Sequence, residues 1–115
     1  MAADATETFF AELGERGHEP LLQKAKGTFR FELRRGKQTD RWLVTIDKGD
    51  VSVSRRNVAA DATMRTTREL FNGLASGEVN TMAAVLRGAI EFEGDPELLV
   101  LFQRLFPGPP AKGKQ

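Results

Sequence analysis

Residues 88–106 run GAIEFEGDPELLVLFQRLF, near the end of a chain of 115 residues. Ile90 and Phe92 alternate with glutamates, which is the pattern of a strand buried on one face only. Asp95 is a typical helix N-cap, and Pro96 suits the first position of the helix that follows. We therefore expect a half-buried strand, a tight turn and a final helix.

The final helix is more apolar than one buried stripe requires. The stripe consists of Leu98, Leu101, Phe102 and Leu105. Three further apolar residues outside it are Leu99, Val100 and Phe106. A helix of a small domain is rarely apolar almost all round. The surplus face must therefore be covered by the domain itself, by a second subunit or by an apolar ligand.

Length and composition indicate one globular domain. The chain is 40% hydrophobic and 29% charged, and it is long enough to fold around a single core. We assign residues 1–106 to this domain and expect a flexible tail of proline, glycine and lysine at 107–115. No apolar run approaches the roughly 20 residues of a membrane span. Asp4 and Glu7 stand where a signal peptide would be basic, so we expect a cytoplasmic protein.

The residue types present exclude several kinds of site. The chain has no cysteine and a single histidine, His18, which excludes disulfides, thiol catalysis and cysteine-based metal sites. No phosphate-binding loop or dinucleotide-binding glycine pattern is present. Glu91 and Glu93 fall on the outward face of their strand, without the burial that shifts a carboxylate pKa. We predict no catalytic residue, no cofactor and no metal ion, and we expect the chain not to be an enzyme.

The net charge is only +1, so the overall charge of the chain does not indicate a class of binding partner. A local basic cluster consists of Arg34, Arg35, Lys37 and Arg41. A solvated hairpin turn explains this cluster, and a patch that attracts phosphate or lipid headgroups is the alternative. We expect no nucleic-acid partner.

The first half of the domain predicts two helices and a β-meander. Asp4 is expected to begin the first helix, and a short second helix is expected at 19–24. Three strands should follow, joined by turns at 36–40 and 47–50. Their inward residues are predicted to be Phe29, Phe31, Leu33, Trp42, Val44, Ile46, Val51 and Val53.

The second half predicts one more strand and two short helices before the final strand and helix. After a loop at 55–60, the fourth strand should span 61–66 with Met64 inward. Thr67 and Asn80 are expected to cap the two helices. The apolar faces that we expect to cover the sheet are Leu70, Phe71 and Leu74 on the first of these helices and Met82, Val85 and Leu86 on the second.

This order of elements predicts a two-layer α+β domain. Five strands present one inward face, and the helices cover that face only. Most inward residues must be core, and a minority would line any apolar cavity, where methionine and phenylalanine adapt to ligands of different shape. The candidate lining residues are Phe31, Val44, Ile46, Met64, Leu70, Leu74, Met82, Leu86, Ile90, Phe92, Leu98, Phe102 and Phe106.

Five segments together resemble the sterol carrier protein type two family. They are Gly27-Thr-Phe-Arg-Phe, Trp42-Leu-Val-Thr-Ile-Asp-Lys-Gly49, Asp61-Ala-Thr-Met, Leu70-Phe-Asn-Gly-Leu-Ala-Ser-Gly77 and Gly88-Ala-Ile-Glu-Phe-Glu-Gly94-Asp95. The resemblance covers about residues 5–106 and rests on the order and spacing of these segments.

The resemblance implies a five-stranded mixed β-sheet, helices over one face and an apolar tunnel between the layers. It implies a tunnel that takes sterols, fatty acids, acyl-CoA or phospholipids, and no fixed catalytic residues. We therefore expect non-catalytic binding of a lipid, with transfer or presentation of that lipid. The final helix and the pair of helices within Arg68–Leu86 would gate the tunnel.

The alternative is a protein-interaction or dimerisation module that serves as an accessory subunit of a lipid- or quinone-modifying enzyme complex. In that case the surplus apolar face would be its interface. A transient membrane contact, an enzyme partner and a homodimer are the partners left open beside the lipid. The chain ends in Lys112-Gly-Lys-Gln115 and lacks a Ser-Lys-Leu signal, so a peroxisomal address is unsupported.

Overall fold

A computed structural model describes residues 4–106, and the predicted tail at 107–115 lies outside the described residues. The helices are α1 (Ala5–Arg16), α2 (Arg68–Ser76), α3 (Thr81–Leu86) and α4 (Pro96–Phe102). The strands are β1 (Lys26–Arg35), β2 (Gln38–Asp47), β3 (Asp50–Ser54), β4 (Ala62–Thr67) and β5 (Glu91–Gly94). The predicted second helix is only a 3₁₀ turn at Pro20–Leu22, and another 3₁₀ turn, Gln103–Leu105, follows α4.

The strands form one mixed sheet in the order β3-β2-β1-β4-β5. β1, β2 and β3 pair antiparallel as the predicted meander. β4 runs parallel to β1, and β5 pairs antiparallel with β4. The predicted α+β class and the five-stranded mixed sheet are therefore confirmed.

The turn between β1 and β2 is tighter than predicted. The strands pair as far as Arg35 opposite Gln38, which leaves Gly36 and Lys37 as the whole turn. Gly36 has a φ of 65°, a left-handed conformation that glycine adopts without steric cost. The residues after the turn are polar, so hydrophobic alternation does not mark the start of β2.

Side-chain caps begin all four α-helices, as the sequence predicts. In each case a side-chain oxygen accepts a hydrogen bond from a backbone N–H in the first turn, which replaces a bond that the helix cannot make itself. The four capping residues are Asp4, Thr67, Asn80 and Asp95.

The surplus apolar face of α4 is largely covered by the domain itself. Leu98, Leu99 and Phe102 are buried, and so is Phe106 beyond the 3₁₀ turn. Val100 is the exception, with 44% of its surface exposed. The apolar excess that raised the possibility of a second subunit thus has partners within residues 4–106.

The outward face of the sheet is covered in part by the loop between β3 and β4. This loop crosses β2 and β1 on the side opposite the helices, where Arg30 Nη1 donates to the carbonyl of Val58 at 3.1 Å. Leu43 lies opposite Arg30 on that face and is only 3% exposed. Leu43 is thus an apolar residue on the outward face that is nevertheless buried.

Candidate functional site

The sheet places its predicted lining residues on one surface beneath the helices. Phe31, Val44, Ile46 and Met64 are all buried, and their strands β1, β2 and β4 are neighbours in the sheet. Strand alternation produces this arrangement, since every second side chain points to the same face.

The last strand contributes two further predicted residues. Phe92 on β5 lies opposite Met64 and is half-buried. Ile90, just before the strand, is buried.

The helices bring five more predicted residues to the same interior. Leu74 on α2, Leu98 and Phe102 on α4, and Phe106 are buried, while Leu70 on α2 is half-buried against the core. Eleven of the thirteen candidate residues therefore belong to the interior between sheet and helices.

The two candidate residues on α3, Met82 and Leu86, do not belong to this interior. Leu86 is 84% exposed and Met82 is 38% exposed. The buried positions of this helix are Thr81 and Ala84. Residues 81, 84 and 85 form one possible face of so short a helix and residues 82, 85 and 86 form another, and the structure turns the face with the smaller side chains inward. The prediction that Met82 and Leu86 face the sheet is wrong.

Aromatic rings occupy the centre of the interior. The Phe31 ring lies 5.1 Å from that of Phe10, 4.5 Å from Phe29, 5.6 Å from Phe71 and 5.0 Å from Phe102, measured between ring centres. Pairs at these separations gain more than the burial of their surface alone. A ligand that enters between the layers must therefore displace rings or rearrange them.

Several of these rings were absent from the candidate list. Phe9 and Phe10 come from α1, Phe29 from β1, Trp42 from β2 and Phe71 from α2, and all are buried. The same periodicity that selected Phe31 and Leu74 marks them as inward. An inward-facing residue can line a cavity or fill the core, and no signal in the sequence distinguishes these two roles.

Phe106 closes the interior at the end of the described chain. Its ring stacks on Phe9 with the centres 5.0 Å apart, and it meets Phe71 and Phe102 edge-on at 5.4 and 5.7 Å. The segment after α4 is thus held by aromatic contacts with α1 and α2.

Two surface grooves follow the sides of α1. A groove of about 890 Å³ separates α1 from β3, with Phe10, Trp42 and Val53 in its lining and Arg55 among the polar residues. A second groove, of about 760 Å³, lies between α1 and the side chains of Ala75 and Leu105. Both grooves are open to solvent, and Phe9 and Phe10 of α1, which line one groove each, also belong to the aromatic interior.

An ionic cluster fixes the first turn of α1. The Arg68 side chain, at the start of α2, donates to Asp4 Oδ1 at 3.0 Å and to Glu7 Oε2 at 3.2 Å. It also donates to Asp40 on β2, which accepts from Arg35 Nε at 3.0 Å. The hydrogen bonds from Arg35, opposed by partial burial and reinforced by Arg68, lower the pKa of Asp40 below its usual value.

Polar side chains are not arranged as a metal site in the described part of the chain. Among residues 4–106, no three histidine, aspartate or glutamate side chains come together as ligands for a metal ion. The same residues contain no helix with the length and hydropathy to cross a membrane. What the arrangement offers chemically is a packed apolar interior with charged residues at its margins.

Comparison with known protein families identifies the family that has this fold. The sequence model of the SCP-2 sterol transfer family matches residues 8–107. The chain belongs to this family. Membership confirms the resemblance that the five sequence segments indicated. A comparison with curated proteins finds no match.

Solved structures of the SCP-2 fold are similar to the chain over most of its length. The sterol carrier protein domain 2 of Helicoverpa armigera has a TM-score of 0.71 and 23% identity, covering 89% of this chain and 85% of that one. Palmitated SCP2L2 from Aedes aegypti has a TM-score of 0.65 and 18% identity, over 88% of this chain and 89% of that one.

The SCP-2 fold also occurs within a larger enzyme. The stereoselective inverting sec-alkylsulfatase Pisa1 from Pseudomonas sp. has a TM-score of 0.70 and 19% identity, and the match covers 90% of this chain but only 16% of the sulfatase. At these identities the likeness establishes the fold alone.

Proposed function

We propose that this chain binds a single lipid, such as a fatty acid, acyl-CoA, phospholipid or sterol, between its sheet and its helices. The observation that carries the proposal is the interior itself, where eleven candidate residues from the sheet and the helices share one buried apolar region. Membership of a sterol transfer family and the palmitated relative with the same fold support it. The chain would transfer the lipid between membranes or present it to an enzyme, without catalysis of its own.

The interior can bind a lipid without polar contacts. Moving about 15 methylene groups from water into such a region contributes about 12 kcal/mol, at ~0.8 kcal/mol for each group. Ordering the ligand and displacing side chains offsets part of this gain, which leaves micromolar to nanomolar affinity.

The final helix is the element that we propose to move when the lipid enters. α4 has only seven residues before its 3₁₀ turn, so few backbone hydrogen bonds hold it together. Its anchoring rings, Phe102 and Phe106, contact Phe9 and Phe31 at 5.0 to 6.0 Å. An outward shift of α4 would separate these rings from Phe9 and Phe31 and open a space for an acyl chain, which the two rings would still line. Short elements at the end of a domain open locally at low free-energy cost.

Native mass spectrometry of the purified protein, followed by solvent extraction, is the direct test. A monomer that carries one extractable lipid is expected. Binding is then quantified with a fluorescent fatty acid, using Phe102→Asp and Phe106→Asp as variants with a charge in the interior. Val100→Asp is the matched control, because Val100 lies on the same helix and is 44% exposed.

We expect the two interior variants to weaken binding at least tenfold and the control to retain it. Circular dichroism shows which variants fold, and Phe106, at the end of the described chain, is the more tolerant position. A folded Phe106→Asp protein with unchanged affinity would contradict the proposed placement. A wild-type protein that neither carries lipid nor binds the probe would contradict lipid binding altogether.

A further inference from the structure

Basic side chains are concentrated at one end of the sheet. We use the term basic end for six residues on the β1–β2 hairpin and just after β3. The Nε of Arg55 donates to the backbone carbonyl of Arg41, which fixes the start of the loop after β3 beside β2. The residues of the basic end are Arg34, Arg35, Lys37, Arg41, Arg55 and Arg56.

Glu32 on β1 and Asp40 on β2 lie beside the basic end, and each is shared among several arginines, including Arg41 for Glu32. Glu32 accepts from Arg65 Nε at 2.9 Å and lies 3.2 Å from Arg30 Nε. Asp40 is bound by Arg35 and by Arg68. The basic end therefore has more positive charge than its neighbouring acids can neutralise.

Four of its cations are exposed and have no acidic partner, and three of these also form no other side-chain hydrogen bond within residues 4–106, whereas Arg55 is bound to the Arg41 carbonyl. Arg34, Lys37 and Arg56 form no salt bridge with any residue from 4 to 106. All three are exposed to solvent. Their charges are therefore available to an external anion.

The opposite charge lies on α1, which faces Arg55 across the groove between α1 and β3. The solvent side of α1 carries Glu7, Glu12 and Glu15, all exposed. The net charge of +1 therefore conceals an asymmetric distribution. An anionic surface would attract the basic end and repel α1, which gives the molecule a preferred orientation.

We propose that the basic end docks on the phosphate groups of an anionic phospholipid bilayer. The proposal rests on the lipid carriage proposed above, since a carrier must meet the membranes that supply or receive its ligand. Guanidinium groups suit phosphate because they donate paired hydrogen bonds to its oxygens. Arg55 also lines the groove between α1 and β3, so a docked bilayer lies beside that groove.

The aromatic residues favour a bilayer over nucleic acid. Proteins that bind single strands combine basic grooves with exposed aromatic rings on which bases stack. Here all eight phenylalanines and the tryptophan lie within the described residues, and none is exposed. The basic end thus offers charge without a stacking surface.

Vesicle sedimentation tests the proposal with the full chain. The vesicles are phosphatidylcholine, with and without phosphatidylglycerol, at low and high salt. The variant Arg34→Gln/Lys37→Gln/Arg56→Gln removes three exposed cations of the basic end. The matched control, Lys24→Gln/Lys26→Gln/Lys48→Gln, removes three exposed lysines from the opposite end of the same strands.

Each basic residue near an anionic membrane strengthens binding about fivefold, so the triple variant is expected to bind anionic vesicles about 100-fold more weakly than wild type. The control is expected to lose much less, and wild-type binding should fall at high salt and without phosphatidylglycerol. Equal losses in the two triple variants would overturn the assignment to the basic end. Failure of the wild type to bind anionic vesicles would overturn the proposal, as would tighter binding to single-stranded RNA at the same salt.

Binding of the fluorescent fatty acid in the absence of vesicles separates this proposal from the one on which it rests. Both triple variants should bind the fatty acid like wild type, because none of the substituted residues lies in the interior. If the basic-end variant binds both the fatty acid and anionic vesicles like wild type, docking through the basic end is contradicted and lipid carriage is not. Loss of fatty-acid binding in the wild type would overturn lipid carriage.

Discussion

Arg68 joins three elements of the molecule through one guanidinium group. It reaches Asp4 and Glu7 at the start of α1 and Asp40 on β2, and it is only 8% exposed. A cation this well buried is stabilised by its acidic partners, and their removal would leave it with an uncompensated desolvation penalty. The seating of α1 on the sheet therefore depends on carboxylates that must stay ionised.

Acid should weaken the domain through Asp40. Its pKa in the folded protein is lowered, chiefly by hydrogen bonds from Arg35 and with a further contribution from Arg68. A group whose pKa is lower when folded stabilises the protein above its unfolded pKa of about 3.9 and loses that contribution as pH falls through the folded pKa. We expect the free energy of unfolding, measured by urea denaturation, to decline below about pH 5.

The variant Asp40→Asn isolates this contribution. It should be about 2 kcal/mol less stable than wild type near neutral pH, because a charged hydrogen-bond acceptor is lost from a partly buried cluster. Its stability should also decline less steeply in acid. Parallel pH profiles for the two proteins would show that Asp40 is not the group responsible.

At the level of single residues, the sequence predicts burial better than role. Periodicity identifies Phe31, Met64 and Phe102 as inward, and the structure buries all three. It cannot distinguish a residue that lines a cavity from one that fills it, since both are apolar and both face inward. Leu86 shows a second limit, because a six-residue helix is too short for apolar spacing to select one of its faces.

At the level of elements, the turn of the β2–β3 hairpin places a lysine in a backbone conformation that lysine disfavours. Lys48 and Gly49 form its two-residue turn, and both have positive φ, 53° and 93°. Glycine adopts this conformation freely, whereas lysine adopts it at a steric cost. Asparagine tolerates positive φ better and is preferred before glycine in such turns.

Lys48→Asn should therefore stabilise the domain by about 0.5 kcal/mol, measured by chemical denaturation. Gly49→Ala should have the opposite effect, because an added Cβ would lie 2.8 Å from His18 Cε1 and 3.1 Å from the Cα of Gln23. A Lys48→Asn protein less stable than wild type would show that the lysine side chain contributes something at this turn beyond its backbone conformation.

The elements themselves were largely predictable, and their arrangement in part. Caps and alternation mark the helix starts and the meander, because these signals are local. The parallel pairing of β4 with β1 depends on a loop that crosses two strands, and the residues of that loop carry no periodic signal. The family resemblance supplied the mixed sheet, which the element order alone did not.

At the level of the whole molecule, the crowded aromatic interior makes ligand binding and stability interdependent. A ligand that binds only the folded state stabilises it by about 2.7 kcal/mol at a concentration of 100 times its Kd. Affinity should rise with chain length, since each buried methylene adds ~0.8 kcal/mol. We therefore expect the Tm shift produced by saturated fatty acids at equal concentration to increase from eight to sixteen carbons, by about 4 to 8 °C for each 1 kcal/mol gained.

Differential scanning fluorimetry below the critical micelle concentration measures this series. Phe106→Asp, if it folds as expected, should show little dependence on chain length, because its interior carries a charge. A wild-type shift that does not change with chain length would indicate binding through the carboxylate at the surface instead of burial of the chain.

Trp42 gives the molecule an optical reporter at an informative place. It is the single tryptophan of a chain without tyrosine. Its indole stacks on Phe10 of α1 with ring centres 4.6 Å apart, and the Arg55 guanidinium carbon lies 4.1 Å from the ring centre. Intrinsic emission excited in the indole band therefore comes from one junction, where α1, the groove and the basic end meet. Spectral shifts and quenching there would follow both membrane docking and lipid uptake in real time, without an attached dye.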